Sequence, residues 1–328
     1  MRFSSSGLVT DGPVPAPPVA AFVDAVLRGI GQVMLQNNSY AGLLFVLGIF
    51  YNSVLLGAAV LVGTAASTAT ALLLQVDRAQ VRAGWFGFNG ALAAVALLYF
   101  FQSDGRVWVY VLCAAAVTTV LMAALLRMLA TWGLPALTAP FVFTTLCFVL
   151  ASARFGQLRA TQHLPTSGRL PQGASIEGVV SLGTFAEGIF TGVAQVFFQG
   201  NVVTGVLFTL GLLVSSRVAA LAALAGSLAG LLVGWGMGAA EPAMRVGAYG
   251  FNSVLTAIVL CDMVLVLNAA AIAYALLAAL ATAVVYASVS AAFDPLGMPA
   301  LTLPFVLVAW VFVLASPQCA RLRQAGSA

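Results

Sequence analysis

The sequence predicts an all-α polytopic membrane protein built from a duplicated half, and three observations carry this. Of 328 residues, 62% are hydrophobic and only 7% are Asp, Glu, Lys or Arg, where a soluble domain carries roughly a quarter as charges. The apolar residues fall into runs separated by short breaks; twelve spans of about 20 residues would use most of the chain. The uncommon residues of the first half return in the same order in the second.

Residues 1–18 are rich in Ser, Gly and Pro, with Pro13, Pro15, Pro17 and Pro18 clustered. They lack a long apolar core, so the expectation is a flexible tail, not a cleaved signal peptide. A first membrane half, 19–153, has apolar runs at 20–36, 41–58, 60–75, 84–101, 107–129 and 134–153. Turn-forming residues divide them: Asn37-Asn38-Ser39, Tyr51-Asn52-Ser53, Asp77-Arg78, Ser103-Asp104-Gly105 and Trp132-Gly133. A polar connecting loop, 154–181, holds Arg154, Arg159, His163, Arg169 and Glu177. The second half, 182–317, has runs near 183–199, 204–221, 223–240, 247–267, 269–292 and 298–316, and 318–328 form a C-terminal tail.

An offset of 163 carries Gly29, Gln32, Val33, Gln36 and Asn38 onto Gly192, Gln195, Val196, Gln199 and Asn201. It also carries Gly84-Trp85-Phe86-Gly87-Phe88-Asn89 onto Gly247-Ala248-Tyr249-Gly250-Phe251-Asn252. One further residue of offset brings Pro135-Ala136-Leu137-Thr138-Ala139-Pro140-Phe141 onto Pro299-Ala300-Leu301-Thr302-Leu303-Pro304-Phe305. Matching apolar residues would mean little in so apolar a chain, but matching Gln, Asn, Thr, Gly and Pro mark an internal duplication. If each half crosses the bilayer an odd number of times, the repeats are inverted, and one run per half must be short or re-entrant. Candidates are 20–36, which holds two Gln, and the Pro-interrupted start of 134–153.

Other counts exclude whole classes of function. The one histidine, His163, cannot furnish a His-rich metal site or a triad within an apolar core. Cys113, Cys147, Cys261 and Cys319 form no C-x-x-C pair and are expected to be packing residues. The formal charge of +4 comes from 13 arginines scattered over run ends, with no run suited to nucleic acid. No enzyme, metal or cofactor is expected.

A polar group left unsatisfied in hydrocarbon costs on the order of several kcal/mol. Gln32, Gln195, Thr138 and Thr302 recur in both halves beside aromatic residues or Pro breaks, and are expected to line a path. Asn89 and Asn252 are expected to be structural, tying down the Gly-rich helix start. Asp24 and Glu187 share the 163 offset, and the expectation is a charge near a helix N-terminus; Arg28 follows Asp24 at ion-pair spacing. Asp262 is expected at an interface with the polar phase. No series of acids or histidines suggests a proton relay, which favours a neutral solute. Phe88 and Phe251 match each other, and Phe198 matches Leu35.

At the Pro-rich segments the chain resembles a known family. Leu134-Pro135-Ala136-Leu137-Thr138-Ala139-Pro140-Phe141 resembles the L-P-x-x-T-x-P-F signature of the urea transporters, and Met298–Phe305 repeats it except for Met298. Leu27-Arg28-Gly29-Ile30-Gly31-Gln32-Val33 is similar to that family's L-R-G-x-x-Q-V segment, and Gly87-Phe88-Asn89 and Gly250-Phe251-Asn252 to its G-aromatic-N segment. The resemblance covers about residues 20–316. It implies two inverted repeats, each of five transmembrane helices and one half-spanning pore helix. It also implies a homotrimer in membrane lipid, with one pore per protomer and passive, channel-like passage of urea. Carried over by position, Gln32 and Gln195 would bind urea at the outer sites and Thr138 and Thr302 in the middle. Phe88, Phe198, Phe251 and Leu35 would form slot walls, and Leu92 and Leu255 would flank the constriction. Leu35 departs from the expected phenylalanine, so that wall would grip more loosely. The setting implied is a bacterial inner membrane. An ion- or proton-coupled carrier of a small neutral amide, or a channel for ammonia or water, remains open on the residues alone.

Overall fold

In the computed structural model, residues 6–8, 17–168 and 177–325 are described. Seven α-helices precede the connecting loop among them: α1 (Pro18–Gln32), α2 (Ser39–Asn52), α3 (Val54–Leu73), α4 (Arg78–Arg82), α5 (Phe88–Phe100), α6 (Gly105–Leu129) and α7 (Ala139–Ser152). Seven follow it: α8 (Leu182–Ala194), α9 (Val202–Ser215), α10 (Arg217–Gly236), α11 (Glu241–Arg245), α12 (Phe251–Ile258), α13 (Ala269–Phe293) and α14 (Leu303–Ala315). The two series run in the same order and at similar lengths. No strand occurs among the described residues, only isolated bridges at Phe101–Ala160 and Leu265–Gln324.

The turn residues of the sequence act as caps. Asn38 accepts from the Tyr40 and Ala41 N–H groups, and Ser53 from Leu56, so α2 and α3 begin where the 3.6-residue apolar pattern restarts. Asn201 and Ser216 do the same for α9 and α10, and Asp104 and Asn268 for α6 and α13. Each cap takes residues out of the helices, and twelve full-length spans are not seen. Among the described residues four helices are long and apolar enough to cross a bilayer: Val54–Leu73, Gly105–Trp132, Arg217–Gly236 and Ala269–Leu296. Leu182–Phe197 and Val202–Ser215 would make one more, bent by 75°. The short α4 and α11, which the apolar runs did not reveal, fill matching corners of the two halves.

The halves join along α2 and α9. There Phe45 packs against Phe208 at 5.1 Å and Phe197 at 6.0 Å, and Thr204 Oγ1 donates to the Gly48 carbonyl at 2.9 Å. Within each half α3 packs on α5, and α10 on α12. Cys113 and Cys147 lie exposed on the outer surface and are not packing residues; a helix bathed in lipid is apolar on its outer face too, so hydropathy alone could not place them.

The single-residue change of offset has a location. The α5 helix runs to Phe100 and ends with Phe101 N–H donating to Leu97, four residues back. The α12 helix passes into a π-turn, Val259–Val264, and ends with Leu265 N–H donating to Leu260, five residues back. Phe101 and Leu265 then hold equivalent places, each making a bridge. The π-turn therefore absorbs the extra residue, as π-bulges do.

Close backbone approach fixes how α1 and α8 cross their neighbours. Gly84 and Gly247 both have φ +80°, and a Cβ on either would collide with the backbone at Gly29 or Gly192. Gly84→Ala should lower stability by roughly 1 kcal/mol or more, while Gly236→Ala, where a Cβ meets nothing within 4 Å, should be neutral or stabilising. Thermal unfolding in detergent checks the pair.

Candidate functional site

Two breaks in the helical ladder lie just before α7 and α14. Each ends in a threonine, Thr138 or Thr302, followed by a helix with Pro in its first turn, where the missing N–H leaves no helical bond unmade. The two threonines are buried, and their Oγ1 atoms lie 2.7 Å apart in one hydrogen bond. The duplicated motif thus meets itself at the centre of the chain.

Asparagines hold both breaks in shape. Asn89 Nδ2 donates to the Leu137 carbonyl at 3.4 Å, and its Oδ1 accepts from Phe141 N–H at 3.0 Å. Asn252 repeats this with Leu301 at 3.2 Å and Phe305 at 3.2 Å. Both asparagines are structural, as expected, but what they tie down is the Pro-rich break and not the Gly-rich start of their own helices. Trp310 Nε1 adds a bond to the Pro135 carbonyl at 2.8 Å.

The glutamines sit at matching turns. Leu35 N–H donates to the Gln32 carbonyl, and Phe198 N–H to the Gln195 carbonyl, each at 2.9 Å. Leu35 (φ 62°) and Phe198 (φ 59°) are left-handed, as are Leu137 and Leu301 (φ 51° each). Among the described residues these are four of the five non-glycine residues with positive φ, the other being Gln75. Such backbone costs about 1–3 kcal/mol per residue and concentrates where function needs it; here each strained residue lies next to a candidate Thr or three residues after a candidate Gln. Gln32 Nε2 donates to the Ala83 carbonyl at 2.9 Å, which leaves its Oε1 as the free acceptor. Gln195 Oε1 is buried with no hydrogen-bond partner.

Gln32, Leu35 and Phe88 line one cleft of about 300 Å³, together with Trp85, Met122 and Met263. The turn carrying Gln195 packs on α12, which begins with Phe251. Phe198 lies 5.3 Å from Tyr99 and 5.7 Å from Phe100, Phe251 lies 5.5 Å from Tyr286, and Tyr99 stacks on His163 at 4.2 Å. Leu92 and Leu255, one turn beyond Phe88 and Phe251, are fully buried and line no part of that cleft. Sequence reasoning missed Tyr99, Tyr286, Met122 and Met263; the offset of 164 that pairs Met122 with Tyr286 was the available signal.

The paired acids are not helix caps. The α1 helix starts at Pro18, which leaves Asp24 inside it and buried, accepting from Arg28 Nε at 2.7 Å, Ser39 Oγ at 2.5 Å and Leu8 N–H at 2.7 Å. Glu187, within α8, pairs with Arg245 at 2.6 Å, and Arg245 also holds Glu241. The Thr184 hydroxyl first, and then Arg245, keep the Glu241 carboxyl below its ordinary range. This contribution to stability is present above the unfolded value and is lost as pH falls through the lowered folded value. Asp262 is exposed and bonds Ser216 Oγ and Gln36 Nε2.

Asn89→Ala and Asn252→Ala should each destabilise the protein by about 1–3 kcal/mol, since each leaves a buried carbonyl and N–H without partners. Thermal unfolding in detergent measures this, and a null effect at both would show the clamps to be dispensable.

The family model described as Urea transporter matches residues 23–317. Urea transporter 1 of Ovis aries is 30% identical over 301 residues, covering 91% of this chain and 78% of its own length. The proteins of the same name from Capra hircus and Mus musculus match with the same identity and coverage.

Proposed function

This chain belongs to the urea transporter family, and from that premise we propose that Gln32, the Thr138–Thr302 pair and Gln195 are successive stations of a single urea path. The protein is an integral multi-pass membrane protein that transports urea passively, and is a transporter rather than an enzyme.

Urea is planar, with four N–H donors and one carbonyl acceptor. Stripping its water without replacement would itself be the barrier. The observation that carries the reading is Gln195 Oε1, a buried acceptor with no partner in the protein. An acceptor is what a urea N–H requires. Gln32 offers its free Oε1 at the matching turn. Thr138 and Thr302 spend one hydroxyl proton on each other and keep acceptor capacity for a solute. Phe88, Phe198 and Phe251, with Leu35, supply apolar faces for the flat molecule; Leu92 and Leu255 back them from the core. We take each half to have five spans and one half-spanning helix, and with that odd number of crossings the halves are inverted about an in-plane axis. α1 and α8, which end at the glutamine turns, are the half-spanning candidates. The homotrimer with one pore per protomer and the bacterial inner membrane belong to the same proposal; the relatives compared are animal proteins.

Coupled transport is disfavoured by the same geometry. Asp24, Glu187 and Glu241 are engaged by arginines, which leaves them poor carriers of protons.

Gln195→Ala and Gln32→Ala should each lower urea flux into proteoliposomes about 2- to 12-fold, the worth of one neutral hydrogen bond where it limits passage. Normal flux through both correctly assembled variants would make the glutamines helix glue. Urea should also equilibrate at a rate indifferent to sodium or to collapse of a proton gradient. Accumulation above the outside concentration would instead establish coupling.

A further inference from the structure

The duplicated halves place chemically different residues at equivalent positions along the path. Leu35 corresponds to Phe198. At the 164 offset Met122 corresponds to Tyr286, and Met263, late within the π-turn, corresponds to Tyr99. Leu35, Met122 and Met263 line the Gln32 cleft. Phe198, Tyr286 and Tyr99 surround the Gln195 turn and Phe251. All three exchanges run the same way, from a flexible aliphatic or thioether side chain to a flat ring. The reverse exchange, Trp85 for Ala248, concerns a residue 39% exposed.

The rings at the Gln195 end also brace one another. Phe198 packs against Tyr99 and edge-on against Phe100; Tyr99 is stacked under His163, with ring planes 21° apart; Tyr286 meets both Phe251 and Tyr249 nearly edge-on. Among the described residues no ring packs against Phe88 at the opposite end. Met side chains, with three rotatable bonds and no branch, reshape around what they touch. Interlocked rings cannot, since moving one displaces its neighbours.

We infer that the path is one-sided in its selectivity: the Phe198–Tyr99–Tyr286 end discriminates amides by width, and the Leu35–Met122–Met263 end is a tolerant vestibule. This rests on the reading of the chain as a urea channel and extends it to the source of its selectivity. His163 acts as a positioning residue, holding Tyr99 against Phe198 without meeting the solute.

The test is the ratio of N-methylurea to urea permeability in proteoliposomes, which does not depend on how much protein is active. Phe198→Leu should raise that ratio about tenfold, the scale on which a rigid pocket rejects one extra carbon. Tyr286→Met, a second variant in case the first fails to assemble, should move it in the same direction. His163→Ala, on the exposed loop, should raise it about twofold by freeing Tyr99. Leu35→Phe should leave the ratio within about twofold of the parent, since the narrow end already sets it. An unchanged ratio in Phe198→Leu and Tyr286→Met, or a fall in Leu35→Phe as large as the expected rise, would overturn the one-sided filter. Absence of urea flux through the parent protein would instead overturn the channel reading beneath it.

Discussion

A backbone that leaves its helical ladder inside hydrocarbon must find other partners for its N–H and C=O groups. The rest of this structure depends on how Asn89 and Asn252 meet that requirement. One carboxamide spans each break, donating to the carbonyl before the threonine and accepting from the N–H past the proline. Because the clamps come from α5 and α12, the breaks are held by the helices that also carry Phe88 and Phe251. The threonines can then sit within 2.7 Å of each other. Without the clamps the breaks would have to close into helix or bind water, and the two hydroxyls would have no reason to meet.

The same logic explains why strain gathers where it does. A left-handed leucine or phenylalanine is tolerated only where surrounding contacts leave no alternative. At Leu137 and Leu301 the asparagine clamps supply those contacts. At Leu35 and Phe198 the chain must reverse after a short helix and within a few residues enter α2 or α9, whose caps Asn38 and Asn201 fix the exit. The strained turns are thus set by contacts from helices outside them.

Much of this was legible in the sequence. The apolar runs gave the order of the longer helices, and Asn38 and Asp104 mark caps whose side chains bond the next helix start, but runs 41–58 and 204–221 passed over the caps Ser53 and Ser216. The repeat placed Thr138 opposite Thr302 because shared Pro and Thr are improbable by chance in an apolar chain. Where reading failed, the cause was a signal without a local signature. Asp24 looked like a cap because helix starts cannot be located within an unbroken apolar run, and α1 begins earlier, at Pro18. Asn89 was read against its own helix, yet its partners lie 48 and 52 residues on. The ring cluster about Phe198 joins α5, the 195–197 turn and a polar loop, a meeting no periodicity announces.

The π-turn at Val259–Val264 shows how one half of a duplicated protein can depart locally from the other. An extra residue inside an α-helix would swing everything beyond it by about 100°, carrying buried faces to the lipid and ruining the return into α13. Letting the ladder skip to a five-residue reach confines the disturbance to one turn. Leu265 and Asn268 resume the places of Phe101 and Asp104, while the residues of the widened turn are free to be something new. Asp262 there reaches Ser216 of its own half and Gln36 of the other, and Met263 faces the cleft. A copied half is ordinarily chained to its twin by the fold they share. This single widened turn is a place where one copy can diverge and the other need not follow.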